Sequence, residues 1–74
     1  MTAPISIETQ QRIGKKIRRI REEKSLSQAN VAKDAGISSG YYARIERGIE
    51  NPSIMVLESI CKVFKIKSSE ILPF

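Results

Sequence analysis

The sequence predicts an all-α domain of four or five short helices. Apolar residues such as Ile13, Ile17 and Ile20 recur at three- and four-residue spacing, the period of a helix face. Serines precede three such stretches and glycines follow two of them, as N-caps and left-handed stops do. No segment alternates apolar and polar residues for long enough to make a strand.

Residues 1–6 carry a proline and no periodicity, so they read as a flexible leader to a single domain over 7–74. Helix 1 runs from about Ile7 to Lys24, and its basic last turns suit the negative end of the helix dipole. Ser27 caps helix 2, Gln28 to Ala35, with Val31, Ala32 and Ala35 on one face and Gly36 as its stop. Ser38 caps helix 3, Ser39 to Arg47, which Gly48 ends. Ile49 to Pro52 is a loop, because proline disfavours a helical conformation at Asn51. Ser53 caps helix 4, whose expected stripe is Ile54, Leu57, Ile60, Cys61 and Phe64. A brief turn over Ser68 to Leu72 makes helix 5.

Composition narrows the function. The chain has 74 residues, net charge +5, no histidine and one cysteine. Without histidine the commonest general base and metal ligand are missing, and no carboxylate pair sits in a credible cleft, so an enzyme is not expected. A single cysteine makes neither an internal disulfide nor a thiolate zinc site, and no cofactor or small-molecule ligand is implied. The longest apolar run, Ile54 to Leu57, falls far short of the roughly 20 residues that span a bilayer. No signal peptide is evident, so the expected location is cytoplasmic. Seven of the thirteen basic residues, Arg12, Lys15, Lys16, Arg18, Arg19, Arg21 and Lys24, fall in one stretch, which suits a polyanionic partner.

Helices 2 and 3, joined by a short turn with glycine, have the outline of a helix-turn-helix. At 100° per residue, Tyr42 and Ile45 define the buried side of helix 3. Gly40, Ala43, Arg44 and Arg47 point away, flanked by Ser39 and Tyr41, with Glu46 beside the core edge. An outward face that is small and then basic suits a major groove.

From Ile13 to Leu72 the chain resembles the phage-repressor/Cro-type (xenobiotic-response-element type) helix-turn-helix regulators. Their pattern has apolar side chains where this sequence has Val31, Ala35, Ile37, Tyr42 and Ile45, a small residue at Ala32 and glycine at Gly36. Ile17-Arg18-x-x-Arg21, Leu26-Ser27-Gln28, Ile45-Glu46-Arg47-Gly48 and Asn51-Pro52-Ser53 agree as well. The resemblance implies a compact lambda-repressor-like domain that binds operator double-stranded DNA and regulates transcription. It places Ser39, Gly40, Tyr41 and Arg44 at base-reading positions. Gln28, Ser38, Arg47, Asn51 and Ser53 fall at phosphate-contacting ones, and Arg21 and Glu46 form a structural ion pair. A chain that ends after helix 5 is similar to the stand-alone members, small phage or plasmid repressors and restriction–modification controller proteins, with no sensor domain expected.

A homodimer on a palindromic operator is expected, with the apolar Ile71, Leu72 and Phe74 as interface candidates, the alternative being that Ile71 and Leu72 pack onto their own core and Phe74 frays. The rival from another class is an antitoxin or adaptor that uses the same fold to bind protein. A basic outward face on helix 3 is what such an adaptor does not need. Three departures from the family pattern stand out. Ser25 replaces a glycine at the helix 1–2 junction, and Asn30 removes a capping box. Tyr42 replaces a branched aliphatic, and its hydroxyl is expected to escape the core. Cys61 reads as a small buried hydrophobe.

Overall fold

The computed structural model describes residues 6–74. Four α-helices, α1 (Ile7–Glu23), α2 (Gln28–Ala35), α3 (Ser39–Glu46) and α4 (Ile54–Phe64), are followed by one 3-10 turn, Ser68–Glu70. No strand occurs among the described residues. The leader expected over 1–6 lies outside them except for Ser6, which caps α1. Among the described residues no helix is long and apolar enough to cross a membrane.

Each helix starts in the same way. Ser6, Ser27, Ser38 and Ser53 are extended, and each hydroxyl oxygen accepts the N–H three residues on, from Thr9, Asn30, Tyr41 and Val56. One of the orphan donors of the first turn is satisfied this way. The helices also end alike, in a Schellman motif. The N–H groups of Leu26, Ile37, Ile49 and Ile66 reach back to the carbonyls of Arg21, Ala32, Arg44 and Cys61 at 3.0–3.2 Å. The residue before each is left-handed: Ser25 (φ 56), Gly36 (φ 76), Gly48 (φ 75) and Lys65 (φ 58). At Gly48 two requirements meet, since a Cβ there would also stand 2.8 Å from Gln11 Cα.

Ser25 and Lys65 hold this conformation against the Cβ–carbonyl clash that disfavours it. Replacing Ser25 by glycine should therefore stabilise the domain by about 1 kcal/mol, read as a rise in the urea midpoint. An unchanged or lower midpoint would show that the junction carries no such strain.

The core takes Ile13, Ile17 and Ile20 from α1, Val31 and Ala32 from α2, Tyr42 and Ile45 from α3, and Leu57, Ile60, Cys61 and Phe64 from α4. Helix α3 packs on α1 and α2, α2 also packs on α4, and the 3-10 turn docks on α4. Four sequence expectations are corrected. Ile54 is 69% exposed: it is the first residue of α4, and the buried stripe of that helix begins only at Leu57. Helix 3 stops at Glu46, with Arg47 as its C-cap. Helix 5 is the single 3-10 turn. Ile71 after it is fully buried, closing the core rather than offering a dimer surface.

The close approach of α1 to α3 depends on Gly14. A Cβ built there would lie 2.5 Å from the Ile45 carbonyl oxygen and 2.6 Å from that of Glu46. Mid-helix glycine weakens a helix by about 1 kcal/mol relative to alanine. Here it lets the α1 backbone lie directly on the last turn of α3.

Candidate nucleic-acid interface

The site is built on α2 and α3, and α1 braces α3 from behind. Tyr42 and Ile45 anchor one side of α3 in the core, and Ser39, Gly40, Arg44 and Arg47 lie exposed on the other. Tyr41 is half-buried and packs against the core edge, so only part of its ring faces outward. Arg44 Nε donates to Glu50 Oε2 at 2.7 Å, and its guanidinium carbon lies 5.9 Å from the Tyr41 ring centroid.

Beneath α3 lies a buried polar cluster. Arg21 Nε donates to Glu46 Oε2 at 2.6 Å and Arg21 Nη2 to Glu46 Oε1 at 3.1 Å, a bidentate geometry. Arg21 Nη1 donates to the Leu26 carbonyl at 2.9 Å. One arginine therefore ties α1, the α1–α2 junction and α3 together. Gln28 Nε2 donates to Glu46 Oε1 at 2.9 Å, a partner the sequence did not indicate. Its second amide hydrogen remains available to an anion.

The side chains of Arg21 and Glu46 are 14% and 2% exposed. Burial pushes the Glu46 carboxyl upward, but the hydrogen bonds it accepts, above all from Arg21, outweigh that and hold it below the usual carboxylate range. Tyr42 corrects another expectation. Its hydroxyl does not escape: it is buried with no hydrogen-bond partner among the described residues. Burial, reinforced by the Glu46 carboxylate, pushes its pKa up, so it stays protonated.

Ser38 and Ser53 both cap helices, and each keeps a hydroxyl hydrogen that can donate to an anion. Asn51 and Arg47 are exposed in and before the α3–α4 loop. Gln28, Ser38 and Arg47 sit at the ends of α2 and α3, and Asn51 and Ser53 in the loop that follows. Leu72 is half-buried against the core and Phe74 is 83% exposed. Cys61 is buried, and burial raises its thiol pKa, which makes it a weak nucleophile.

Two residues of the site went unnoticed in the sequence. Glu50 pairs with Arg44 across the end of a helix, where no helical spacing rule applies. Gly14 was visible as a glycine beside the Ile13 stripe, and that position was its only signal.

A helix-turn-helix family model (HTH_3) matches residues 17–71. The chain belongs to the helix-turn-helix family. This helix-turn-helix domain is 38% identical over 60 residues to the immunity repressor protein of Bacillus phage phi105, across 81% of this chain and 42% of that protein. It is 36% identical over 61 residues to the HTH-type transcriptional regulator SinR of Bacillus subtilis, across 81% of this chain and 55% of SinR. The chain thus spans about half the length of these curated relatives. The crystal structure of SinR in complex with DNA superposes with TM-score 0.73 at 36% identity, covering 77% of this chain and 92% of that one. The restriction–modification controller protein C.AhdI from Aeromonas hydrophila gives TM-score 0.83 at 27% identity, covering 85% of this chain and 96% of that one.

Proposed function

We propose that the domain binds double-stranded DNA sequence-specifically, as a homodimer on a palindromic operator, and thereby regulates transcription in the cytoplasm. The observation that carries the reading is the exposed face of α3, where Ser39, Gly40 and Arg44 lie on a helix fixed in the core from behind. Its eight residues rise about 12 Å, and the major groove is about 12 Å wide. Ser39, Tyr41 and Arg44 offer side chains to base edges, while Gly40 lets the backbone come close. Gln28, Ser38, Arg47, Asn51 and Ser53 surround that helix with donors for phosphate oxygens. SinR, whose structure was solved with DNA, supports the partner class, and the phage repressor and the controller protein support regulation. Leu72 and Phe74 serve the dimer, with Ile71 removed from that role by its burial.

Selection of bound sequences from random duplex DNA tests this reading. Two half-sites with centres about 10 bp apart, or a multiple of one helical turn, are expected. An asymmetric site saturated by one monomer would refute the dimer, and no enrichment at all would favour a protein-binding adaptor. On the selected site, Arg44→Ala should weaken binding by about 1–3 kcal/mol and relax preference at one position per half-site. Arg19→Ala on α1 should alter salt dependence at most. Equal losses for Arg44→Ala on selected and scrambled duplexes would remove Arg44 from base reading.

A further inference from the structure

Arg44 is the long cation nearest the middle of the exposed face of α3, where two neighbours hold it and a third leaves it room. Glu50, in the loop after α3, accepts from its Nε at 2.7 Å. The Tyr41 ring lies 5.9 Å from its guanidinium carbon. Its Nη1 comes within 3.7 Å of where a Gly40 Cβ would stand, so the guanidinium lies back over the space that glycine leaves open.

Both side chains of the pair are substantially solvent-exposed, and exposed pairs add little to stability. The consequence of this arrangement is geometric and electrostatic. With Nε engaged, the two terminal nitrogens remain free as the fork that fits guanine O6 and N7. A side chain already held in place loses less freedom on binding than one that must be ordered. The Glu50 charge also offsets the attraction of Arg44 to phosphate, which is the part of DNA affinity blind to sequence.

We infer that Glu50 is a specificity-determining positioning residue: it holds the Arg44 fork toward a base edge and screens it from phosphates. This rests on the DNA-binding reading above. Glu50→Gln keeps an acceptor for Nε but removes the charge, whereas Glu50→Ala removes both.

Two measurements test it on the full chain. In the free protein, the Arg44 Nε–H proton should exchange slowly with water in the wild type and Glu50→Gln and rapidly in Glu50→Ala, with unfolding midpoints unchanged. For DNA, dissociation constants are measured on a duplex recovered from a random pool by the wild-type protein and on a scrambled duplex of the same composition. Glu50→Ala should bind the scrambled duplex several-fold more tightly, and the ratio of specific to scrambled affinity should fall about tenfold. Glu50→Gln should tighten scrambled binding equally but keep more of the ratio. In an Arg44→Ala background, Glu50→Ala should leave the ratio unchanged.

Slow exchange retained in Glu50→Ala would overturn the positioning role while leaving the DNA reading intact. An unchanged ratio in Glu50→Ala, or an equal fall with and without Arg44, would overturn the specificity role. Failure of the wild type to enrich any sequence would overturn the DNA reading and this inference with it.

Discussion

Glu46→Ala should destabilise the domain by about 3 kcal/mol. The substitution strands the Arg21 guanidinium at the α1–α3 junction and removes the acceptor of Gln28 Nε2. Removing one member of a buried pair is worse than removing both, because the remaining charge keeps its desolvation penalty. Arg21→Met/Glu46→Leu should therefore be more stable than Glu46→Ala alone. Urea unfolding of the wild type, Arg21→Met, Glu46→Leu and the double variant measures the coupling, and additive effects would show that the pair carries none.

The same carboxylate sets an acid limit. Its folded pKa is depressed, so the stability it confers is fully present above the unfolded value of about 4.3. That contribution is lost as pH falls through the lower folded value. Glu46→Gln should be less stable than the wild type at neutral pH, and the difference should shrink on acidification below about pH 4. A gap that stays constant down to pH 2 would contradict this assignment.

Gly14→Ala should cost about 3 kcal/mol, although alanine is the better helix former by about 1 kcal/mol. The obstacles at 2.5 and 2.6 Å are the backbone oxygens of Ile45 and Glu46, and a backbone held by its own helix cannot rotate aside as a side chain can. The helices must separate, which loosens the packing of Ile13, Ile17 and Ile45 and moves Arg21 off Glu46. Lys15→Ala, one residue along on the exposed face, is the control and should stay within about 0.5 kcal/mol of the wild type. Thermal unfolding separates the two, since 1 kcal/mol shifts Tm by roughly 4–8 °C in a domain of this size. A Gly14→Ala midpoint equal to that of the control would mean that the helices have room to adjust.

Most helix boundaries were legible in the sequence because capping is local. A serine before an apolar-periodic stretch and a glycine after it act through hydrogen bonds three to five residues away, and Ser27, Gly36, Ser38, Gly48 and Ser53 mark such ends. The buried stripes of α1 and α4 followed from period alone, except at Ile54, the exposed first residue of its helix. The helix-turn-helix outline and the small, basic outward face of α3 came from the same local rules.

What only the tertiary structure decided is which long-range partners those residues meet. Gly14 faces the α3 backbone, Gln28 turns to Glu46, Arg44 is held by Glu50, the Tyr42 hydroxyl is sealed in, and Ile71 completes the core. None of these follows from periodicity, because each depends on how two elements distant in sequence are brought together. A helical repeat specifies the direction in which a side chain leaves its own helix, and the packing of the other helices determines what it meets there.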